Sequence, residues 1–463
     1  MTFPLMFALL FMAGSVLLLR RVLGPTWLRR PFVLMILFAC VYHGVSELLL
    51  LNDSLRRNDI YRKFVPAEWA HIGAMVVGIG MFAATIAYLI GLKASGRAGA
   101  TDLSSLRAAL RPLDWRLLAL ATIPLAVVTY QGQGYAAGRP LDARYDSTLT
   151  LLSNQFLVAV VVLTTFSFVA KRGPRWFVPA LAGQCMILAG AGQRLELLVA
   201  AASVWVFLAI YAQVPTRRQM LTVAVIGGLL AASITGARAA QGRGVFNSDT
   251  GIVQRLIALV DGVTSAGQQT SASSPLVQRL DTNEFAGGVM RSLQSGTPPE
   301  GLGAVVDSML IVVPTALYPE KNNRSVQERS TKAEQIWRFG LIPTDHLPGH
   351  FGLWIGLTGP YLFPLVMALF GWLFAKVEWW TMRKATAARM VTLVLLLVGA
   401  LFYERGIPSL LLFLRFAIPL GVLAWFGQQL MPSMTLLPGY NEQTIRINAR
   451  SSSRQVLGGS SNE

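Results

Sequence analysis

The sequence predicts an all-α fold: a polytopic membrane helix bundle of about eleven spans with one long, partly helical loop on the outer face. Three observations predict it. The 463 residues are 53% hydrophobic and only 14% charged, whereas soluble domains are roughly a quarter charged. Apolar runs recur from end to end, each about 17 to 25 residues long and so able, at 1.5 Å of rise per residue, to cross roughly 30 Å of hydrocarbon. One segment, 237–350, interrupts these runs and is too long to be a mere connector.

Taken in order, the runs fall near 3–19, 31–51, 70–92, 117–130, 150–170, 176–192, 195–214, 220–236, 352–375, 388–403 and 407–430. The fourth is short and the sixth is rich in Gly and Ala, so the apolar pattern is least distinct in those two. The first has no basic region before it and no A-x-A-like site after it, and reads as a span that is kept rather than a cleaved signal. The expected organisation is an N-terminal bundle of about eight spans (1–236), a long outer loop or cap (237–350), a C-terminal bundle of about three spans (351–430) and a polar tail (431–463). The tail is expected to be cytoplasmic and disordered.

Basic residues set the expected orientation. With the N-terminus outside, 21 of the 40 Lys and Arg fall in short inner loops or the tail, among them Arg20, Arg21, Arg29, Arg30, Lys171, Arg172, Lys376 and Arg383. The short outer loops then hold only Arg56, Arg57, Arg62, Lys63, Arg139, Arg144, Arg194 and Arg405, the asymmetry of cytoplasmic loops that are retained inside. The formal charge of +17 has the same origin; no basic stripe with interleaved aromatics accompanies it, which argues against nucleic acid as a partner. Cys40 and Cys185 both sit within apolar runs and predict neither a disulfide framework nor a metal site.

Chemistry, on this reading, belongs to the outer face. Segment 237–350 carries ten basic and ten acidic residues and two apolar stretches, 252–260 and 304–317, suited to amphipathic helices at an interface. Arginines accumulate at the outer face: Arg194 in a tight turn between two spans, Arg238 and Arg243 just past the eighth, then Arg255, Arg279 and Arg291. A guanidinium is permanently charged and forks onto phosphate oxygens, so converging arginines suit a phosphate-bearing lipid headgroup; the alternative for each is interface anchoring by snorkelling. Arg415 lies inside the last span, beneath Glu404 and Arg405, and Glu404 to Arg415 spans about three helical turns. Those three either line one cleft or pair with neighbouring helices.

His346 and His350 stand four apart, but Pro348 and Gly349 between them argue for a turn, and no H-E-x-x-H pattern is present, so no metal is expected. A histidine at the outer boundary is either a surface residue or a base for a substrate hydroxyl. Asp281 and Glu284 offer carboxylates beside Arg279, as a structural charge cluster or as catalytic groups. His43 and Glu47 lie four apart toward the outer end of the second run and, with Arg415, are the ionisable groups expected within spans. There is no P-loop, no G-x-S-x-G, no D-x-D and no EF-hand loop, which leaves cytosolic nucleotide chemistry without support.

Four short segments carry a family resemblance: the Gly192-Gln193-Arg194 turn, the Gly236-Ala237-Arg238 end of the eighth run, VPTALYPEK at 313–321, and HFGLWIGLTG at 350–359. Together with the span count and the dominant outer loop, they resemble polysaccharide repeat-unit polymerases of the O-antigen polymerase (Wzy-type) group, relatives of the O-antigen ligases. Segment 313–321 is similar to the P-R-x-x-x-P-x-K pattern of exopolysaccharide polymerases, with Thr315 in place of the arginine.

The resemblance implies a metal- and cofactor-independent glycosyl transfer at the periplasmic face of a bacterial inner membrane. Donor and acceptor are both glycans on undecaprenyl pyrophosphate, and the lipid pyrophosphate is the leaving group. It implies Arg194, Arg238, Arg243, Arg279, Arg291, Lys321, Arg405 and Arg415 as substrate or pyrophosphate ligands, and His350, His346, Glu284 and Asp281 as catalytic candidates. Membrane lipids, a chain-length regulator and a flippase of the same pathway are the implied partners. An O-antigen ligase shares this architecture. A membrane transporter or lipid flippase is the reading from another class; it predicts internal repeats, of which the sequence has none.

Overall fold

The structure is a computed structural model that describes residues 2–51, 64–95, 109–110, 112–132, 144–190, 194–210, 216–241, 252–266, 282–301, 303, 335, 338–341, 349–383, 386–403, 421–422, 425–426 and 429. Twelve helices organise it among the described residues: α1 (Phe3–Leu23), α2 (Pro31–Leu49), α3 (Ala67–Ser95), α4 (Trp115–Gly132), α5 (Arg144–Arg172), α6 (Phe177–Gly190), α7 (Arg194–Ile210), α8 (Arg217–Gln241), α9 (Ile252–Ala266), α10 (Asn283–Gln294), α11 (Gly349–Met382) and α12 (Ala387–Leu401). No strand occurs among the described residues. The chain is an all-α membrane protein. Four helices, α1, α2, α3 and α11, are long and apolar enough to cross a bilayer, and α4, α6, α7 and α12 contain shorter apolar stretches.

Local sequence explains where these helices start and stop. Proline stands in the first turn of α1 and of α2, where its missing N–H costs nothing. Arg20 and Arg21 occupy the last turn of α1, at the negative end of its dipole. The helices run past several apolar limits expected above: α1 continues to Leu23, and α11 continues to Met382 rather than ending near 375. The extension of α11 has a consequence for charge, because it draws Glu378 into the bundle as a further buried ionisable residue beside the expected His43 and Glu47. The stretch 304–317 lies outside the described residues, as does the run at 407–430 except for 421–422, 425–426 and 429.

Two hydrophobic groups form the body. One joins α1, α2, α3, α10 and α11 around Phe32, Val77, Met81, Phe285, Phe363 and Met367. The other joins α4 to α9 around the apolar run 156–163 of α5, and α2 and α12 contribute to both. Small residues let backbones approach, as membrane interfaces require where hydrophobicity alone gives no preference between lipid and protein. A Cβ on Gly73 of α3 would sit 2.6 Å from the amide nitrogen of Gly287 of α10, and one on Gly371 of α11 would overlap the carbonyl oxygen of Ala84 of α3.

Two interruptions shape the end of the bundle that carries α10. Inside α2, Val41–Val45 forms a π-helical turn, which breaks the regular i to i−4 ladder and re-aims carbonyls toward side chains. Tyr42 O accepts from Ser46 Oγ at 2.6 Å and from Thr282 Oγ1 at 3.2 Å, and His43 O accepts from Asn283 Nδ2 at 2.9 Å. Inside α11, Gly359 has φ 74° and ψ 164° and Pro360 follows, so the element is two helices joined across a kink. Pro360 has no N–H to give the carbonyl of Gly356. The chain at 300–301 supplies the missing donors: Glu300 N bonds Gly356 O at 3.0 Å and Gly301 N bonds Leu357 O at 2.9 Å.

Candidate functional site

Three of the four histidines are described, and all three are buried at the same end of the first helix group. His43 rises from the π-helical turn of α2, His71 from the second turn of α3, and His350 from the first turn of α11. Glu47, Asn283, Glu284 and Tyr403 complete the layer, each at most 1% exposed.

The hydrogen bonds fix the roles of the atoms. Asn283 Nδ2 donates to His43 O and to Glu47 Oε1, both at 2.9 Å. Both amide protons are then committed, so Asn283 Oδ1 is an acceptor, and the 2.6 Å contact to His43 Nδ1 requires the proton on Nδ1. In the neutral ring Nε2 is then the acceptor, and it takes the phenolic proton of Tyr403 at 2.8 Å. Glu47 turns its other oxygen to His71 Nε2 at 3.3 Å, and His71 Nδ1 meets Thr2 Oγ1 at 2.7 Å. His350 Nε2 lies 3.0 Å from Gly399 O; a carbonyl only accepts, so Nε2 carries the proton and Nδ1 is the basic nitrogen of that ring.

Helix α10 is what closes this layer. Its first seven residues, Asn283 to Val289, are all buried, while Arg291 and Ser295 at its far end are exposed. Thr282, which precedes it, turns its hydroxyl to Tyr42 O instead of capping its own helix. Gly349 (φ 64°) starts α11, and a Cβ there would come within 2.8 Å of the Tyr403 ring, so only glycine permits both the turn and the contact. Tyr403 in turn packs its ring against Tyr42, His43, His350 and Phe351, with centroids 5.1 to 6.0 Å apart.

A second polar cluster lies near the opposite end of the same helices. Glu378 of α11 accepts from Tyr88 OH at 2.7 Å, Arg30 Nη1 at 3.1 Å and Phe32 N at 3.3 Å. His71 and Tyr88 both lie on α3, 17 positions apart, which separates the two clusters by about 25 Å along the helix. The arrangement is that of a satisfied buried ion pair joining three helices.

The candidates expected from sequence are distributed unevenly. His350 and Glu284 belong to the buried layer. Arg291 does not; it is exposed and reaches Phe64 O at 3.5 Å. Arg194 opens α7 and Arg238 lies in the last turn of α8. Arg255 of α9 is buried and donates to Gly190 O at 3.0 Å, placing a cation on the C-terminal end of α6. Asp281, Arg243, Arg279, Lys321, His346, Arg405 and Arg415 lie outside the described residues. Residues not anticipated are Asn283, Thr282, His71 and Tyr403. The available signal was adjacency, since Thr282 and Asn283 stand between the candidates Asp281 and Glu284, and Tyr403 directly precedes Glu404.

Comparison with family models, with curated proteins and with solved structures gives no match.

Proposed function

We propose that the chain is a polymerase that joins undecaprenyl-pyrophosphate-linked oligosaccharide repeat units at the periplasmic face of a bacterial inner membrane, as the sequence resemblance implies. The observation that carries this reading is the co-location of His350 and Glu284, from two distant candidate segments, in one buried polar layer that α10 closes. Eleven crossings with the N-terminus outside form part of the proposal. In its favour, helices overlie the first ten apolar runs. The Thr2–His71 bond also ties the N-terminus to the end of the bundle where Asn283 docks. At the other end basic residues lie over tryptophans, Lys376 on Trp372, Arg383 on Trp379 and Arg389 on Trp380, at 4.9 to 5.3 Å, the pattern of an inner membrane interface.

The chemistry needs no nucleotide. The anomeric carbon of the donor glycan passes from the lipid pyrophosphate to an acceptor hydroxyl: the bond to the phosphate oxygen breaks, the new glycosidic bond forms, and the hydroxyl proton leaves to a base. Arg194 and Arg238 hold the departing pyrophosphate, whose developing charge fixed guanidiniums stabilise. Glu284 or His350 Nδ1 accepts the proton. Both groups are buried with α10 in place, so the acceptor enters when α10 shifts.

Deletion of the gene in its host, followed by electrophoresis of surface polysaccharide and lipid-linked intermediates, tests the reading. The expected result is loss of high-molecular-weight polymer with single repeat units persisting on carrier or acceptor, restored by the wild-type gene and not by Arg194→Ala or Arg238→Ala. An unchanged glycan pattern contradicts it; long lipid-linked polymer that never reaches its final acceptor indicates a ligase instead.

A further inference from the structure

The His43 imidazole is held on both ring nitrogens by chain segments 240 and 360 positions away. His43 Nδ1 bonds Asn283 Oδ1 at 2.6 Å, and His43 Nε2 bonds the Tyr403 hydroxyl at 2.8 Å. Asn283 is joined directly to Glu284 at the start of α10, and Tyr403 directly precedes Glu404 and Arg405. The ring projects from the π-helical turn of α2, whose Tyr42 and His43 carbonyls are the ones that Thr282 and Asn283 grip. The turn's carbonyls and the ring therefore act on the same segment at the start of α10, and the ring also reaches Tyr403.

We propose that His43 is the positioning residue of the transfer site, an inference that rests on the function proposed above. Its Nδ1–H sets the register of α10, and with it the carboxylate of Glu284; its Nε2 sets Tyr403, and with it the ring that packs edge-on against His350. The order hydroxyl, imidazole, amide has the logic of sites in which a third group fixes the tautomer of a histidine so that its far nitrogen presents one defined role. Glu47 extends the order by one step, because its carboxylate takes the second amide proton of Asn283 and leaves Oδ1 no role but acceptor.

Packing alone does not call for this arrangement. An apolar residue of similar volume at position 43 would fill the same space, whereas the polar set must satisfy every buried donor and acceptor to be tolerated. What hydrogen bonds add is directional precision on two segments at once, and an error of about 1 Å in such placement costs on the order of 100-fold in rate.

The test uses the full-length chain in lipid nanodiscs with undecaprenyl-pyrophosphate-linked repeat units extracted from the host lacking this gene, and reads initial rates of polymer formation. Tyr403→Phe keeps the ring and its aromatic contacts and removes only the hydroxyl. His43→Asn keeps an amide donor near the place of Nδ1 and removes the Nε2 acceptor. Each is expected to lower kcat roughly 10- to 100-fold, with KM near wild type, at temperatures well below the variant's own thermal midpoint. The double variant is expected to lose no more than the worse single variant, because the two residues act as one unit. Wild-type rates in both single variants, multiplied losses in the double variant, or losses of kcat that simply follow losses of thermal midpoint overturn the positioning role alone. A wild-type chain that makes no polymer from these units overturns the functional reading, and the proposal with it.

Discussion

Glu378 shows most plainly how single residues hold this chain together. It is fully buried, and three donors from two other helices and the chain just before α2 converge on its two oxygens. Removing one partner of such a pair leaves a charge without compensation, a loss of about 3–5 kcal/mol, whereas removing both is far cheaper. Arg30→Met is therefore expected to lower the thermal midpoint of the purified chain in nanodiscs well below that of the double variant Arg30→Met with Glu378→Met. A single variant as stable as wild type would show that the pair contributes nothing. Glu378 was hidden in the sequence because the apolar run ends near 375, and only the continuation of α11 to Met382 brings the carboxylate inside. Glu47 and His43 were visible because both stand within an apolar run, but the residue that links them, Asn283, is 236 positions from Glu47 and 240 from His43. No local pattern reports a bond of that separation.

At the scale of elements, α10 is the part whose position matters most to the proposed chemistry. It lies against the backbone of α3 at Gly73 and against the first half of α11 at Gly352. A Cβ on Gly352 would stand 3.9 Å from that of Ala286, within the usual separation for a disulfide. In a background lacking Cys40 and Cys185, the pair Gly352→Cys and Ala286→Cys is expected to cross-link spontaneously in an oxidising compartment. Polymer synthesis should stop in the cross-linked protein and return on reduction, as seen by non-reducing electrophoresis alongside the glycan assay. Full activity with the bridge intact would show that α10 need not move. The sequence marks the helices well wherever apolar runs are long, and less well where form depends on tertiary partners. The break in α11 is written locally in Gly359 and Pro360, but its repair by Glu300 and Gly301 is not. The π-helical turn in α2 likewise leaves no distinct local sign, since its freed carbonyls are answered by Thr282 and Asn283.

For the whole molecule, the fold class and the succession of helices follow from composition and apolar periodicity, because a bilayer requires backbone groups to be satisfied within each segment. The proposed orientation rests on weaker, summed effects: the excess of Lys and Arg on one set of loops and the tryptophans beside Lys376, Arg383 and Arg389. The proposed function requires the buried layer of His43, Asn283, His350 and Tyr403 to lie at the outer face, where lipid-linked glycans are presented. Labelling of single cysteines in intact cells with a membrane-impermeant maleimide tests it most directly, using Gly296→Cys on the exposed turn after α10 and Arg217→Cys at the exposed start of α8. Position 296 labelled from outside, with position 217 labelled only after permeabilisation, is the predicted result; the reverse pattern would put the layer in the cytoplasm and rule out transfer at the outer face.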